Sequence, residues 1–75
     1  MIEIAPRISV DSSVRFGRPV IRDTRVPVDV VVGKIAGGMS VDEVAADYGI
    51  AREDVLSALS YAARTVAEEH VRAVS

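Results

Sequence analysis

The stretch Met39–Leu59, "MSVDEVAADYGIAREDVLSAL", carries the signals of two consecutive helices joined by a tight turn. Ser40 followed by Glu43 has the spacing of a capping box, in which each side chain satisfies a backbone N–H at a helix start. Val41, Val44, Ala45 and Tyr48 then fall on one helical face. Gly49 ends this short helix, because glycine takes the left-handed closing conformation without steric cost. A second run begins at once. In "AREDVLSALSYAARTVAEEHVRAV", Val55, Leu59, Ala62 and Val66 recur at i, i+4, i+7 and i+11, and Leu56, Ala58 and Ala63 widen the stripe. A short capped helix, a tight glycine turn and a longer helix have the outline of a helix-turn-helix, with Ala45 in the first helix and Val55 turned inward from the second.

Upstream, "PVDVVVGKIAGG" (Pro27–Gly38) predicts another helix. Val28, Val31, Val32 and Ile35 form its apolar face. Pro27 suits a first turn, where its missing N–H costs nothing. Asp29 and Lys34 complement the two ends of the helix dipole. Gly37 and Gly38 stop it. Gly33 weakens the middle by about 1 kcal/mol relative to alanine and leaves room for a close helix–helix approach. Before that helix, "VIRDTRVPV" is rich in β-branched residues but bracketed by prolines, which fits a short strand or extended arm at a sheet edge. "SSVRFGRP" reads as a loop, and Ile8–Val10 as a short strand closed by Asp11. The expected fold is mainly α: a helix-turn-helix-like three-helix bundle with a short N-terminal β element. It divides as 1–26 strand and arginine-rich arm, 27–69 helical core and 70–75 frayed tail, one domain overall.

Seventy-five residues make a small domain, whose core is marginal alone. Such scaffolds need disulfides, a metal or oligomerisation. The chain has no cysteine and one histidine, His70, so pairing with a copy of itself is the staple to expect, most simply a dimer. No apolar run reaches the about 20 residues that span a bilayer, and the N-terminus lacks the pattern of a signal peptide. Together with the missing cysteines this places the expected site of action in the cytoplasm.

Charge is unevenly divided. Residues 1–28 carry five basic and three acidic side chains, and residues 29–75 carry four basic and eight acidic ones, which sums to the net −2 of the whole. The basic excess concentrates in "RFGRPVIRDTRVP" (Arg15–Pro27), with Arg15, Arg18, Arg22 and Arg25. These guanidinium groups suit three anions: nucleic-acid phosphates, carboxylates of a protein partner, or acids of the chain's own second half. The second helix of the pair offers Arg52, Ser57, Ser60, Tyr61 and Arg64 for a groove contact, but Glu53 and Asp54 flank Arg52 where phosphates would approach. Catalysis finds no nucleophile–base pair, His70 sits in the tail, and "IAGGMS" is not a phosphate-cradling loop. The expectation is a protein that is not an enzyme and uses no cofactor or metal.

The arm and the helix pair together resemble the small prokaryotic family known as domain of unknown function 433. Its pattern is F-G-x-P-x-I-x-G-T-R-[IV]-x-V, then G-x-S-x-E-E-[IL], then L-[ST]-x-x-D-[IV]-x-A-A-L-x-Y. This chain supplies Phe16, Gly17, Pro19, Ile21, Thr24, Arg25, Val26 and Val28 for the first; Gly38, Ser40, Glu43 and Val44 for the second; Ile50, Asp54, Val55, Ala58, Leu59 and Tyr61 for the third. Asp23 stands where the family has glycine, and it tolerates turn geometry. Asp42 replaces a common proline or glutamate. The resemblance implies a dimeric antitoxin of a type II toxin–antitoxin pair that neutralises a PIN-like nuclease, with its own operator DNA as a second partner. It places Thr24 and Arg25 in the family's invariant-looking turn. The expected binding residues are Arg15, Arg18, Arg22, Thr24, Arg25, Arg52, Ser57 and Arg64. The alternatives are a stand-alone DNA-binding regulator and a structural assembly module.

Overall fold

A computed structural model describes residues 2–14 and 17–74, with side chains through residue 69. The element order is β1 (Ile2–Ala5), β2 (Ile8–Val10), β3 (Val20–Ile21), α1 (Val28–Ala36), α2 (Val41–Tyr48) and α3 (Arg52–Val74). This is the mainly helical fold that the sequence predicts, with three helices and a small N-terminal sheet. Arg15 and Phe16 lie outside the described residues, as do the side chains of the expected tail, His70 among them.

The sheet is antiparallel, in the order β1-β2-β3. Cross-strand pairs Ile8↔Ile21 and Ser9↔Val20 fix the register of β2 against β3. Because side chains alternate across a strand, Ile8 and Ile21 share the face turned to the helices, and Ser9 and Val20 share the other. All four are buried. Strand β1 is an addition to the sequence reading. Its side chains are exposed except for half-buried Ala5, so burial imposed no alternation that a sequence could show. A turn at Pro6 and Arg7 joins it to β2. Arg7 takes φ 66°, and proline followed by a positive φ is the pattern of a type II turn.

Helix α2 begins and ends as its sequence predicts, whereas Pro27 stands in extended conformation just before α1 and α3 runs on to Val74 through the stretch expected to fray. Ser40 Oγ accepts from the Glu43 N–H at 3.1 Å, and Glu43 Oε1 accepts from the Ser40 N–H at 2.8 Å. At the other end of α2, Gly49 adopts φ 65°, its N–H bonds to the Ala45 carbonyl, and the Ile50 N–H reaches the same carbonyl at 3.1 Å. The helix is closed by this Schellman-type pattern. Three residues later α3 starts, and Asp54 Oδ2 accepts from the Ala51 N–H at 2.9 Å. The core gathers Ile8 and Ile21 from the sheet, Val28 and Val31 from α1, Val44 from α2, and Val55 and Ala58 from α3. None of these seven buried side chains is aromatic, and Tyr48 and Tyr61 pack against them from partly buried positions.

Candidate partner-binding surface

The arginine-rich stretch is neither a free ribbon nor a simple strand. After Ile21 it folds back on itself. The Thr24 N–H donates to the Ile21 carbonyl at 3.0 Å, and the Ile21 N–H donates to the Val26 carbonyl at 2.9 Å. Thr24 Oγ1 donates to the Ile21 carbonyl at 2.7 Å and accepts from the Val26 N–H at 3.0 Å. Asp23 occupies the third position of this turn with φ 63°. Glycine is the residue favoured at such a position, which gives a physical reason for the glycine in the family pattern and for the survival of the turn with aspartate. The Arg22 N–H donates to the Arg7 carbonyl at 2.7 Å, and the Val28 N–H donates to the Pro19 carbonyl at 3.0 Å. The turn is thereby tied to the β1–β2 turn on one side and to the start of α1 on the other.

The side chains around this turn meet different fates. Arg18 pairs with Asp29 of α1. Arg22 pairs with Glu3 at 3.2 Å and lies 4.0 Å from Asp23. The hydroxyl of Thr24 is committed to its own turn. Arg25 is exposed and has no carboxylate partner among the described residues. Glu3 is held below its ordinary value of 4.5 by hydrogen bonds from the Arg7 backbone N–H and the Arg22 side chain. Asp29 of α1 and Glu3 of β1 therefore neutralise Arg18 and Arg22, and Arg25 is left without a carboxylate among the described residues of the arm.

The helical residues separate into two groups. Arg52, in the first turn of α3, pairs with Asp42 of α2 at 2.6 Å. With Glu43, Glu53 and Asp54 in the first turns of the same two helices, this end of the helix-turn-helix is acidic, and its one arginine is already neutralised. Such a surface repels phosphates. Farther along α3, Ser57 and Arg64 come together with Ser60, Leu56 and Pro6 in a shallow groove of about 260 Å³ beside the β1–β2 turn. Arg64 is exposed and has no carboxylate partner among the described residues.

Two features lay beyond the sequence reading. Arg7 pairs with Asp54 at 3.0 Å in a partly buried contact. The carboxylate that caps α3 thus also anchors the β1–β2 turn, which accounts for an aspartate at this point of the motif. Residue spacing carries no sign of it, because 47 positions separate the partners. The second feature is a groove of about 430 Å³ between α1 and α3, lined among others by Val28, Val32, Gly33, Tyr61, Thr65 and Val66. Gly33 was its one trace in the sequence. Among the described residues, no group of three or more His, Cys, Asp or Glu side chains converges on a metal position, and no helix is long and apolar enough to cross a membrane.

Comparison with solved structures finds the crystal structure of Rv2018 from Mycobacterium tuberculosis, with a TM-score of 0.64 and 31% sequence identity. The match covers 69% of this chain and 24% of that one, so the chain spans about a quarter of that protein's length. No curated protein matches. The family model described as "Protein of unknown function (DUF433)" matches residues 8–62, a span that runs from β2 through the arginine turn and all three helices to the middle of α3. The chain belongs to the DUF433 family.

Proposed function

We propose that the chain is the antitoxin of a type II toxin–antitoxin pair and acts without catalysis, by binding and neutralising a PIN-like nuclease. The observation that carries this reading is the state of Arg25: an exposed, unpaired guanidinium at the edge of a turn locked by Thr24. The turn backbone that carries Arg25 is already ordered, so on binding only the arginine side chain loses freedom. Guanidinium also matches carboxylate in a two-point geometry, and the resemblance implies a nuclease partner with an acidic, metal-binding cleft. Co-expression with each of the two genes flanking its own tests the proposal. One of those products is expected to arrest growth when alone and to be silenced by this chain through a complex that co-purifies. Growth arrest unrelieved by this chain, or the absence of any complex with either product, overturns it.

A second reading, DNA binding, is supported by the groove of Ser57, Ser60 and Arg64, which has two hydroxyls, one guanidinium and no carboxylate in its lining. It puts the phosphate contact at the middle of α3 and away from its acidic start. Retardation of DNA from upstream of the gene, weakened by Arg64→Glu and by salt, is the expected result. Equal retardation by Arg64→Glu contradicts it.

A further inference from the structure

Apart from its ladder to β2, strand β1 is fastened by charge and hardly by packing. Ile2 is 69% and Ile4 44% exposed, and of the four side chains only Ala5 packs, half-buried, against the core. A groove of about 430 Å³ lies between Ile4 and Ala5 on one side and Tyr61, Arg64, Thr65 and Glu68 of α3 on the other, so the strand is not seated on that helix. Glu3 is the fastening. Its carboxylate accepts from the Arg7 N–H at 3.1 Å and from the Arg22 side chain at 3.2 Å. Both side chains of the Glu3–Arg22 pair are exposed, and an exposed ion pair shifts an equilibrium by only about two- to fivefold.

Just beyond the strand the chain has a fixed pivot. The Arg7 carbonyl accepts the Arg22 N–H at 2.7 Å, and the Arg7 guanidinium pairs with Asp54 of α3 at 3.0 Å. The turn is therefore pinned at Arg7 when Ile2–Ala5 lifts away. An edge strand with few buried contacts belongs to the segments that open locally, well before the fold as a whole. Opening takes Glu3 away from Arg22. Among the described residues, that guanidinium then keeps only its 4.0 Å approach to Asp23, on the same turn that carries Arg25.

We infer that β1 is a releasable strap and that Glu3 is an internal stand-in for a partner's carboxylate at Arg22. With the strap closed, Arg22 is masked and the turn presents Arg25. With the strap open, the turn presents both. A partner carboxylate that takes Arg22 displaces Glu3 and shifts the population toward the open strand. The masking rests on the reading of the arginine turn as a carboxylate contact, the strap does not, and the two are tested apart.

Native-state amide exchange is followed residue by residue by NMR in the wild type, Glu3→Gln, Arg22→Gln and the double variant. Glutamine keeps the shape of Glu3 and removes its charge, and both positions are on the surface, so the fold is retained. The amides of Glu3, Ile4 and Ala5 are expected to exchange about tenfold or more faster than those of Ile21 and Ala58. Glu3→Gln is expected to raise this opening about two- to fivefold. The increase is expected to vanish when Arg22 is already glutamine, and in about 0.5 M NaCl, where exposed pairs are screened. Strand amides that exchange only together with Ile21 and Ala58 overturn the strap, as does an unchanged opening in Glu3→Gln or an increase that persists in full without Arg22. The masking is tested by titrating a hexaglutamate peptide. Glu3→Gln is expected to bind it about two- to fivefold more tightly than the wild type, and the double variant to lose that gain. Glu68→Gln, which removes the same charge from α3, is expected to gain less than Glu3→Gln. Equal gains in Glu3→Gln and Glu68→Gln overturn the masking and leave the strap standing.

Discussion

Asp23 shows how one residue type can be legible in a sequence through the backbone it must accept. The family pattern has glycine at this place, and the aspartate here adopts φ 63°. A left-handed conformation costs an L-residue about 1–2 kcal/mol, least for Asn and Asp, while glycine loses more backbone entropy on folding. Asp23→Gly is therefore expected to be neutral or stabilising by up to about 1 kcal/mol. Asp23→Val, which puts a branched Cβ at a positive φ, is expected to destabilise by about 1–2 kcal/mol. Urea denaturation of the pair checks the order of the two. Ser9 is a second case. It is 1% exposed, and its hydroxyl has no hydrogen-bond partner among the described residues. A buried hydroxyl without a partner costs about 1–3 kcal/mol, so Ser9→Ala is expected to raise the midpoint of thermal unfolding. A lowered midpoint would mean that the hydroxyl is satisfied in solution.

Among the elements, α2 was the most legible and β1 the least. Helix α2 carries its start, its face and its stop in local sequence, through Ser40 and Glu43, Val44, and Gly49. Strand β1 is mostly exposed and gains its pairing from β2, so nothing in its own residues announces it. The join between the hairpin and α3 depends on the Arg7–Asp54 contact, which sequence spacing cannot reveal. Asp54→Ala removes both that pair and the acceptor for the Ala51 N–H, and is expected to cost about 1–2 kcal/mol. A double-mutant cycle with Arg7→Ala is expected to show a coupling of about 0.5–1 kcal/mol. A coupling near zero would make the cap the whole of Asp54's role.

The start of α2 also makes a pH prediction. Glu43 lies below its ordinary value of 4.5 because it accepts the Ser40 backbone N–H and interacts with the Ser40 hydroxyl. The folded chain binds this proton less readily than the unfolded chain, so stability falls as pH drops below 4.5. The contribution is complete at neutral pH. Thermal unfolding of Glu43→Gln is expected to start below the wild type at pH 7, with the gap narrowing as pH falls below 4.5. A gap of constant size would assign the loss to geometry and not to charge.

At the scale of the whole molecule, the sequence predicted the helical architecture, because each helix carries its own signals and the apolar faces converge on one core. It left the anions of the arginine stretch open, because those anions come from distant or separate segments. Glu3 is brought to Arg22 by a strand that the sequence did not reveal, and Asp29 is brought to Arg18 by the fold of the loop around Pro19 and Val28. Two of the arm's cations are thereby spent inside the chain. Arg18, Arg22 and Arg25 look alike in sequence but differ in the fold: the first two are ion-paired, and Arg25 has no carboxylate partner among the described residues.

A calorimetric titration of the proposed nuclease partner with wild type, Arg25→Glu and Arg64→Glu measures that distinction directly. Arg25→Glu is expected to weaken binding by about 100-fold or more, as for reversing a charge paired at an interface, while Arg64→Glu is expected to bind as the wild type does. Equal affinity of Arg25→Glu and wild type would contradict it.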